Sequence, residues 1–231
     1  GGFSRGQSTV LPALHALGIE RLHTAVISHG DNDHAGGLVA VREGIAVDRI
    51  QAPLGALPAE VPHAECIAGR HWQWDGVHFV YIWPIDRHSG DDNDRSCVLL
   101  VRGGGRSLLL TGDISAAAET QLLTHYGELL RSEVVLVPHH GSAGSSSEAF
   151  IAAVKPQVAL ISSGFQNRFR HPRPEVLERY RNAGAQTVNT VDSGWAELTG
   201  TPDGWVWSRQ ARHDDRRYWL RNAQEASVKG Y

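Results

Sequence analysis

Short runs of apolar residues alternate along the chain with amphipathic segments of helical period. Because hairpin-like pairs of strands occur together with strand–helix–strand units, the pattern favours an α/β fold in which two sheets are flanked by helices. The amphipathic segments predict helices at 8–17, 35–43, 115–130, 146–154 and 174–183. The apolar runs predict strands near 22–28, 47–52, 76–83, 96–102, 106–111, 133–137, 157–163, 185–190, 195–199 and 205–209.

Capping and turn residues support several of these boundaries. Ser115, followed by Glu119, is typical of a helix N-terminus. Pro174 and Gly184 are typical of the first position and the end of a helix. Hairpin turns are predicted at three Gly-containing segments, QWDGV at 73–77, VRGGGRS at 101–107 and TPDGW at 201–205.

Size and composition are those of an ordinary globular protein. The 231 residues are 41% hydrophobic and contain no repeat or linker, so we expect one domain over 1–231, with 211–231 as a tail. A net charge of −3 argues against a broad basic face that holds nucleic acid mainly by charge. No stretch has the roughly 20 apolar residues of a transmembrane helix, and the N-terminus lacks the features of a secretion signal.

Polar clusters follow four of the predicted strands, at the point where each strand ends. Loops converge at the carboxyl edge of layered α/β sheets, so side chains that are distant in sequence can meet there. We therefore expect one site built from all four clusters. They are His29 to His34, Asp113, the pair His139 and His140, and His171.

The chemistry of this set is that of a two-metal centre. Two imidazoles and two carboxylates within six residues suit two ions better than one. Two cations about 3.5–4 Å apart promote in-line attack on phosphorus or carbonyl carbon without a protein nucleophile. We assign His29 and Asp31 to one ion, Asp33 and His34 to the other, Asp113 to a bridging position, and His139 and His171 to the remaining ligands.

The same motifs carry a family resemblance. HxDxDH, TGD, HHGS and a late HP resemble the metallo-β-lactamase superfamily pattern, HxHxDH with later histidines and a bridging aspartate. More narrowly, the chain resembles, over roughly residues 8–200, the C-terminal domain of the ComEC family of competence DNA-uptake channel proteins in its proteobacterial form. That resemblance is carried by SHGDNDHAGG, WQWDGVHF, NDRSCVLLV, LLLTGDI, VPHHGSAGSSS and ISSGFQNRFRHP.

The resemblance implies a metallo-β-lactamase-type four-layer αβ/βα sandwich and a metal-dependent deoxyribonuclease. It implies that the domain degrades the DNA strand left outside during natural transformation. It further implies a location on the periplasmic side of the inner membrane, next to the membrane channel of the same parent polypeptide. The isolated domain is expected to be a monomer, and we expect the N-terminal family strands with DVGQG and DTG motifs to be absent from this chain.

Two departures from the superfamily pattern bear on the metals. Asp31 stands where histidine is usual, and a carboxylate in place of an imidazole favours Mn²⁺ or Mg²⁺ over Zn²⁺. We therefore expect two divalent ions, with manganese favoured and zinc or magnesium as alternatives. Where many members have a histidine before the bridging aspartate, this chain has DDNDRS at 91–96, which leaves a ligand of the first metal unassigned.

Residues around the expected centre suit a phosphodiester substrate. We expect Asp33, His140 and His171 to be catalytic, with His140 or His171 protonating the leaving oxygen. For His140 the alternative is to orient His139. Helix N-termini favour anions and arginine neutralises charge on phosphoryl oxygens, so substrate contacts are expected from Ser142, Ser145, Asn167, Arg168 and Arg170.

Two other functions stay open from the sequence. A small-molecule hydrolase of the same superfamily would use the same metals and would have a deep apolar pocket instead of an open groove. The absence of a histidine before the bridging aspartate favours the second, a non-catalytic DNA-guiding module. Against that module stands the electrostatic cost of gathering carboxylates around an empty centre.

Cys66 and Cys97 leave buried thiols and one bridge as alternatives, because two cysteines are too few for a disulfide framework. The resembling proteins hold this domain outside the cytoplasmic membrane, where disulfides persist, so we favour the bridge.

Overall fold

The computed structural model describes residues 4–86 and 91–215. The α-helices are α1 Leu11–Ala16, α2 Asn32–Ala35, α3 Leu38–Gly44, α4 Ala116–Tyr126, α5 Glu148–Val154, α6 Pro174–Asn182, α7 Thr190–Ser193 and α8 Ala211–Asp214. The strands are β1 Arg21–Leu22, β2 Ala25–Val26, β3 Ala46–Val47, β4 Ile50–Ala52, β5 Ala64–Glu65, β6 His71–Trp74, β7 Val77–Trp83, β8 Val98–Gly103, β9 Arg106–Leu110, β10 Val134–Leu136, β11 Val158–Ile161, β12 Gln186–Asn189, β13 Ala196–Thr201 and β14 Gly204–Gln210. A π-helical turn at Gly6–Val10 and 3-10 turns at Asn93–Arg95, Gly127–Leu130 and Pro138–Gly141 complete the set.

A seven-stranded mixed sheet forms the centre of the fold, in the order β12-β11-β10-β9-β8-β7-β6. Strands β9 to β12 run parallel, and β8, β7 and β6 continue from β9 in antiparallel fashion. Strands buried on both faces read as continuous apolar runs, which is why SLLLTG and VVLVP were recognisable in the sequence. The carboxyl ends of β9, β10 and β11 therefore lie at one edge of this sheet.

Helices α4, α5 and α6 cover one face of the sheet and form the larger hydrophobic core. The helices contribute apolar side chains that pack on apolar strand residues, and the side chains on both sides of this contact are buried. They include Leu122, Phe150, Ile151 and Val176 from the helices and Leu109, Val135 and Ala159 from the strands.

The opposite face of the sheet carries a second apolar cluster around Tyr81 and Leu99. Two small parallel sheets, β1-β3 and β2-β4-β5, are associated with a third cluster, in which Leu38 of α3 packs with Ile50 and Ala52. The predicted α/β class, with sheets between helical layers, is confirmed.

The predicted elements differ from the observed ones mainly in the first third of the chain. The strand expected at 22–28 is divided between β1 and β2, which belong to different sheets. The helix expected at 35–43 is observed as α2 and α3, because Gly36 and Gly37 lie between them. Strands β5 and β6 were not predicted, since β5 has only two residues and the alternation of polar and apolar residues in HWQW extends over only four positions.

Capping and turn predictions were more accurate. Ser115 accepts a hydrogen bond from the backbone N–H of Ala117 at the start of α4. All three predicted hairpin turns are present, joining β6 to β7, β8 to β9 and β13 to β14.

Cys66 and Cys97 form a disulfide, with their Cα atoms 5.8 Å apart. This confirms the bridge. Among the described residues, no helix is both long and apolar enough to span a bilayer. The expectation of one domain stays a prediction, and 216–231 of the expected tail lie outside the described residues.

Candidate metal centre

The expected polar clusters do meet at one edge of the fold. The His29 to His34 segment follows β2, Asp113 follows β9, and His139 and His140 follow β10. Gly112 allows the chain to turn after β9, since its φ is +58° and a Cβ there would lie 2.6 Å from the Cβ of Ser96. The absence of a side chain at this glycine thus lets Ser96 and Ser28 pack closely against the turn that leads to Asp113.

The carboxylate of Asp113 lies among the Nε2 atoms of four histidines. The distances are 3.3 Å to His34, 3.4 Å to His140, 3.9 Å to His29 and 4.0 Å to His139. The backbone N–H of Asp113 donates to Ser96 Oγ at 3.0 Å, which fixes the position of the residue. We call the group formed by His29, Asp31, Asp33, His34, Asp113, His139 and His140 the Asp113 cluster.

His29 supplies the clearest sign that the Asp113 cluster fits a cation. The residue is 1% exposed, and its Nδ1 lies 3.2 Å from Ser28 Oγ. Its Nε2 is buried and has no hydrogen-bond partner, although a buried polar atom without a partner costs free energy. A metal ion would satisfy that nitrogen, since neutral imidazole is a common metal ligand.

His140 lies among the potential ligands, in addition to the catalytic role expected for it. Its Nδ1 donates to the carbonyl oxygen of Ser162 at 2.7 Å, so its Nε2 carries a free lone pair. That Nε2 lies 3.1 Å from His34 Nε2 and 3.3 Å from Asp33 Oδ2. His139 and His140 both adopt left-handed backbone conformations, with φ of 49° and 53°, which turns both rings toward the cluster.

The ligand atoms form two overlapping groups. His29, His34 and Asp113 make one group, and Asp33, His34 and His140 make the other, each with ligand atoms within 4.8 Å of one another. His34 therefore belongs to both groups, whereas the sequence assigned it to one ion only. Asp31 Oδ2 lies 3.7 Å from His29 Nε2, and its side chain is half exposed.

Burial and mutual charges shift the pKa values of these groups. Burial and the positive charge of His34 lower the pKa of His29. Burial would also lower the pKa of His34, but the hydrogen bond and charge of Asp113, with the charge of Asp33, raise it above its ordinary value. Burial would raise the pKa of Asp113, yet the same hydrogen bond and the histidine charges lower it. Without metal, the contact between His34 and Asp113 thus favours the protonated form of the imidazole and the ionised form of the carboxyl group.

His171 lies at the rim of the Asp113 cluster and not inside it. Its ring contacts the ring of His139, with centroids 5.7 Å apart at an angle of 88°. Burial, followed by the charges of His139 and His140, lowers its pKa. Its role as a metal ligand stays a prediction, as does its role in catalysis.

Three expected substrate residues hold the protein together in this structure. Ser145 is 1% exposed and donates to the carbonyl oxygen of Pro138 at 3.0 Å, so it cannot reach a substrate. The amide of Asn167 accepts from the His171 backbone N–H at 2.9 Å and donates to the His171 carbonyl at 2.5 Å. Ser142 Oγ accepts from the Gly144 N–H at 3.4 Å and remains partly exposed. Arg168 and Arg170 are exposed, and their role as substrate contacts stays a prediction.

Two serines that the sequence analysis did not select position the ligands. Ser28 Oγ lies 2.9 Å from His34 Nδ1 and 3.2 Å from His29 Nδ1, so one hydroxyl orients both rings. Ser96 is fully buried and holds the backbone of Asp113. Ser28 stands directly before HGDNDH, and that position was the available signal.

A cavity of about 420 Å³ opens beside the Asp113 cluster. Its polar wall includes Asp33, His34, Asp113 and His140. The remaining wall is mostly apolar and includes Val26, Leu99, Leu110, Leu136 and Val137.

Sequence comparison relates the chain to known proteins. Residues 1–164 match the family described as the metallo-β-lactamase superfamily. The chain is 40% identical over 198 residues to competence protein ComA of Neisseria gonorrhoeae, covering 84% of this chain and 28% of that protein. It is 37% identical over 193 residues to recombination protein 2 of Haemophilus influenzae, covering 84% and 24%. The chain thus spans about a quarter of the length of these relatives.

Solved structures show the same fold at low sequence identity. The diiron β-hydroxylase CmlA of Streptomyces venezuelae has a TM-score of 0.51 at 16% identity, covering 73% of this chain and 43% of that one. Tm1679, a metal-dependent hydrolase of the β-lactamase superfamily, has a TM-score of 0.50 at 14% identity, covering 81% and 84%. These likenesses support the predicted sandwich fold and carry no argument about substrate.

Proposed function

Because the chain belongs to the metallo-β-lactamase superfamily, we propose that the Asp113 cluster is a two-metal centre that hydrolyses DNA phosphodiesters. The observation that carries this proposal is the position of the Asp113 carboxylate, 3.3 to 4.0 Å from the Nε2 atoms of four histidines. So many imidazoles around a buried carboxylate, one of them with a buried Nε2 that has no hydrogen-bond partner, fit cations better than they fit a structural role.

The ligands divide around the shared residues. His29, with Asp31 beside it, would hold one ion, and Asp33 and His140 would hold the other. His34 belongs to both groups, and Asp113, a member of the first, lies 3.4 Å from His140 Nε2 of the second. When bound, two divalent ions lower the pKa of water and neutralise charge on a phosphoryl group. His171, at the rim, is the residue we assign to protonate the leaving oxygen, and we assign Arg168 and Arg170 to neutralise phosphate charge.

Manganese is the ion we favour. Three carboxylates accompany the histidines in the Asp113 cluster, and a carboxylate-rich set favours the harder ions Mn²⁺ and Mg²⁺ over Zn²⁺. Zinc and magnesium are the alternatives that a metal series has to compare.

The biological setting we propose follows the relatives. ComA of Neisseria gonorrhoeae is named a competence protein, and the chain covers about a quarter of it. We propose that this chain serves DNA uptake as one part of a longer polypeptide with a membrane channel. It would act as a monomeric unit on the periplasmic side of the inner membrane and degrade the strand that is not imported. The disulfide between Cys66 and Cys97 is compatible with that oxidising compartment.

The test is a cleavage assay on linear single- and double-stranded DNA in Mn²⁺, Mg²⁺, Zn²⁺ or chelator. The Asp33→Ala, His34→Ala double variant removes one carboxylate and the imidazole shared by both ligand groups. A matched control, His15→Ala with Glu20→Ala, removes the same two kinds of group from exposed positions outside the site. We expect cleavage in Mn²⁺ by the parent and the control and none by the site variant. Absence of cleavage in every metal would refute the nuclease.

The cavity beside the Asp113 cluster favours one second candidate, hydrolysis of a small ester, thioester or lactone. Its apolar wall of Val26, Leu99 and Leu136 would hold the apolar part of such a molecule. The same protein samples should be given a panel of small esters, thioesters and lactones. Turnover of these without DNA cleavage would assign this second function to the site.

A further inference from the structure

Two phenylalanine rings are exposed on the loop that connects β11 to α6, beside the Asp113 cluster. Phe165 is 66% exposed and Phe169 is 57% exposed. Single exposed apolar side chains are common, but two large rings within five residues at the rim of a polar site are not explained by packing. We call residues 162–171 the phenylalanine loop.

The phenylalanine loop is held in a defined shape. Asn167 bonds to both backbone groups of His171 and donates to the Gly164 carbonyl at 3.0 Å. Gln166 and Arg170 adopt left-handed conformations, with φ of 49° and 57°, on either side of this anchor. These bonds fix the backbone on both sides of Phe169 and bring Phe165 next to the anchored turn.

A chain of ring contacts links the loop to the Asp113 cluster. The ring of Phe169 is stacked on that of His171, with centroids 5.6 Å apart and 26° between the planes, and His171 in turn contacts His139. The guanidinium carbon of Arg168 lies 4.6 Å from the centre of the Phe169 ring. Aromatic faces and a positive charge therefore occur together, one ring beyond the cluster.

We propose that the phenylalanine loop binds unpaired nucleotides of a DNA strand whose backbone reaches the Asp113 cluster. Phe165 and Phe169 stack on bases, and Arg168 and Arg170 neutralise the neighbouring phosphates. Aromatic rings beside basic residues are how proteins hold single strands without sequence preference, since every base has a stacking face. Bases in a duplex hide those faces, so the loop selects single-stranded over double-stranded DNA. This inference rests on the proposed DNA substrate and adds its strandedness.

Binding to labelled DNA in chelator tests the proposal separately from cleavage. The probes are a fluorescent oligothymidylate and a fluorescent hairpin duplex, and the readout is anisotropy. The variants are Phe165→Ala, Phe169→Ala, the double variant, and Phe165→Trp with Phe169→Trp as the rescue. Leu129→Ala is the control. Leu129 is 62% exposed and lies in the 3-10 turn that follows the C-terminal end of α4, outside the phenylalanine loop.

We expect each single alanine variant to weaken binding of the single strand by about tenfold. Binding of the duplex should change by less than about twofold, and the tryptophan variant should bind like the parent. The proposal is overturned if the single strand binds equally well to the double alanine variant, if single strand and duplex lose affinity alike, or if the parent binds no DNA. Retained single-strand selectivity without cleavage in any metal would instead refute the nuclease and leave the loop assignment standing.

Discussion

The Nε2 atoms of His34 and His140 face each other at 3.1 Å. His140 Nδ1 donates to the Ser162 carbonyl, so the neutral His140 ring presents a lone pair at Nε2, and only a proton or a cation can join that lone pair to His34. Asp113 lies within 3.4 Å of both nitrogens. The loop after β2 and the left-handed turn after β10 thus bring one ring nitrogen each to the Asp113 carboxylate.

Replacing Asp113 by asparagine keeps the shape of the side chain and removes its charge. We expect the dissociation constant for Mn²⁺ to rise by at least about 100-fold, because a neutral amide replaces the anionic oxygens at the centre of four histidines. Isothermal titration calorimetry on metal-free protein measures it. Asp203→Asn is the control, because it makes the same carboxylate-to-carboxamide change at an exposed position in the turn before β14. Equal affinity in the two variants would mean that Asp113 holds no metal.

Ser28→Ala removes the hydroxyl shared by the Nδ1 atoms of His29 and His34. Groups that orient metal-binding histidines typically contribute 10- to 100-fold to affinity, so we expect a loss of about that size without unfolding. Calorimetry reports the affinity, and circular dichroism reports the fold. Ser208→Ala, whose exposed hydroxyl lies on β14, should bind Mn²⁺ like the parent. An unchanged affinity in Ser28→Ala would show that the two rings need no such support.

The affinity for Mn²⁺ should increase with pH through the neutral range. The hydrogen bond and charge of Asp113 hold the pKa of His34 above its ordinary value of 6.5, so the His34 proton competes more strongly with a metal ion and has to leave when the metal binds. Protonation favours the metal-free state, and raising the pH removes that competition. Calorimetry between about pH 6 and pH 8, in buffers of different ionisation enthalpy, gives both the affinity and the number of protons released. A dissociation constant that does not change with pH would contradict the proposed ligand role of His34.

Glu119 stabilises the segment from Ser142 to Ser147, which follows the pair His139 and His140. Its buried carboxylate accepts hydrogen bonds from the backbone N–H groups of Ser146 and Ser147, at 2.5 and 2.8 Å. Glu119→Ala removes the acceptor of both N–H groups and leaves that of the buried Ser146 without a partner, so we expect the free energy of unfolding to fall by about 1–3 kcal/mol. Urea denaturation measures the change. Glu148→Ala, at an exposed position of α5, should alter it by less than about 0.5 kcal/mol.

The positions of the site residues were predictable because each polar cluster follows an apolar run. Asp113 and the two histidines of HHGS come directly after buried parallel strands, and the carboxyl ends of such strands share an edge. The left-handed turn at His139 and His140 was not readable, since nothing in their side chains requires it. For the same reason the sequence assigned His140 a catalytic or orienting role in the site and did not place its Nε2 among the ligand atoms.

Roles that depend on tertiary contacts were beyond the sequence. Ser145 resembled a substrate contact because it precedes a helix, but it is buried beneath the Pro138 carbonyl. The division of 22–28 between β1 and β2 depends on which sheet each half joins, and short apolar runs do not encode that choice. The exposure of Phe165 and Phe169 is what indicates a binding role for them, and no local sequence pattern predicts that exposure.

The most direct test of a two-metal nuclease is the rate of DNA cleavage as a function of manganese bound per chain. Metal-free protein is titrated with Mn²⁺, bound ions are counted by native mass spectrometry, and each sample is assayed on a single-stranded oligonucleotide. The Asp113 cluster predicts two ions per chain and a rate that rises mainly as the second ion binds. Full activity with one ion, or no cleavage with two ions bound, would contradict the proposal.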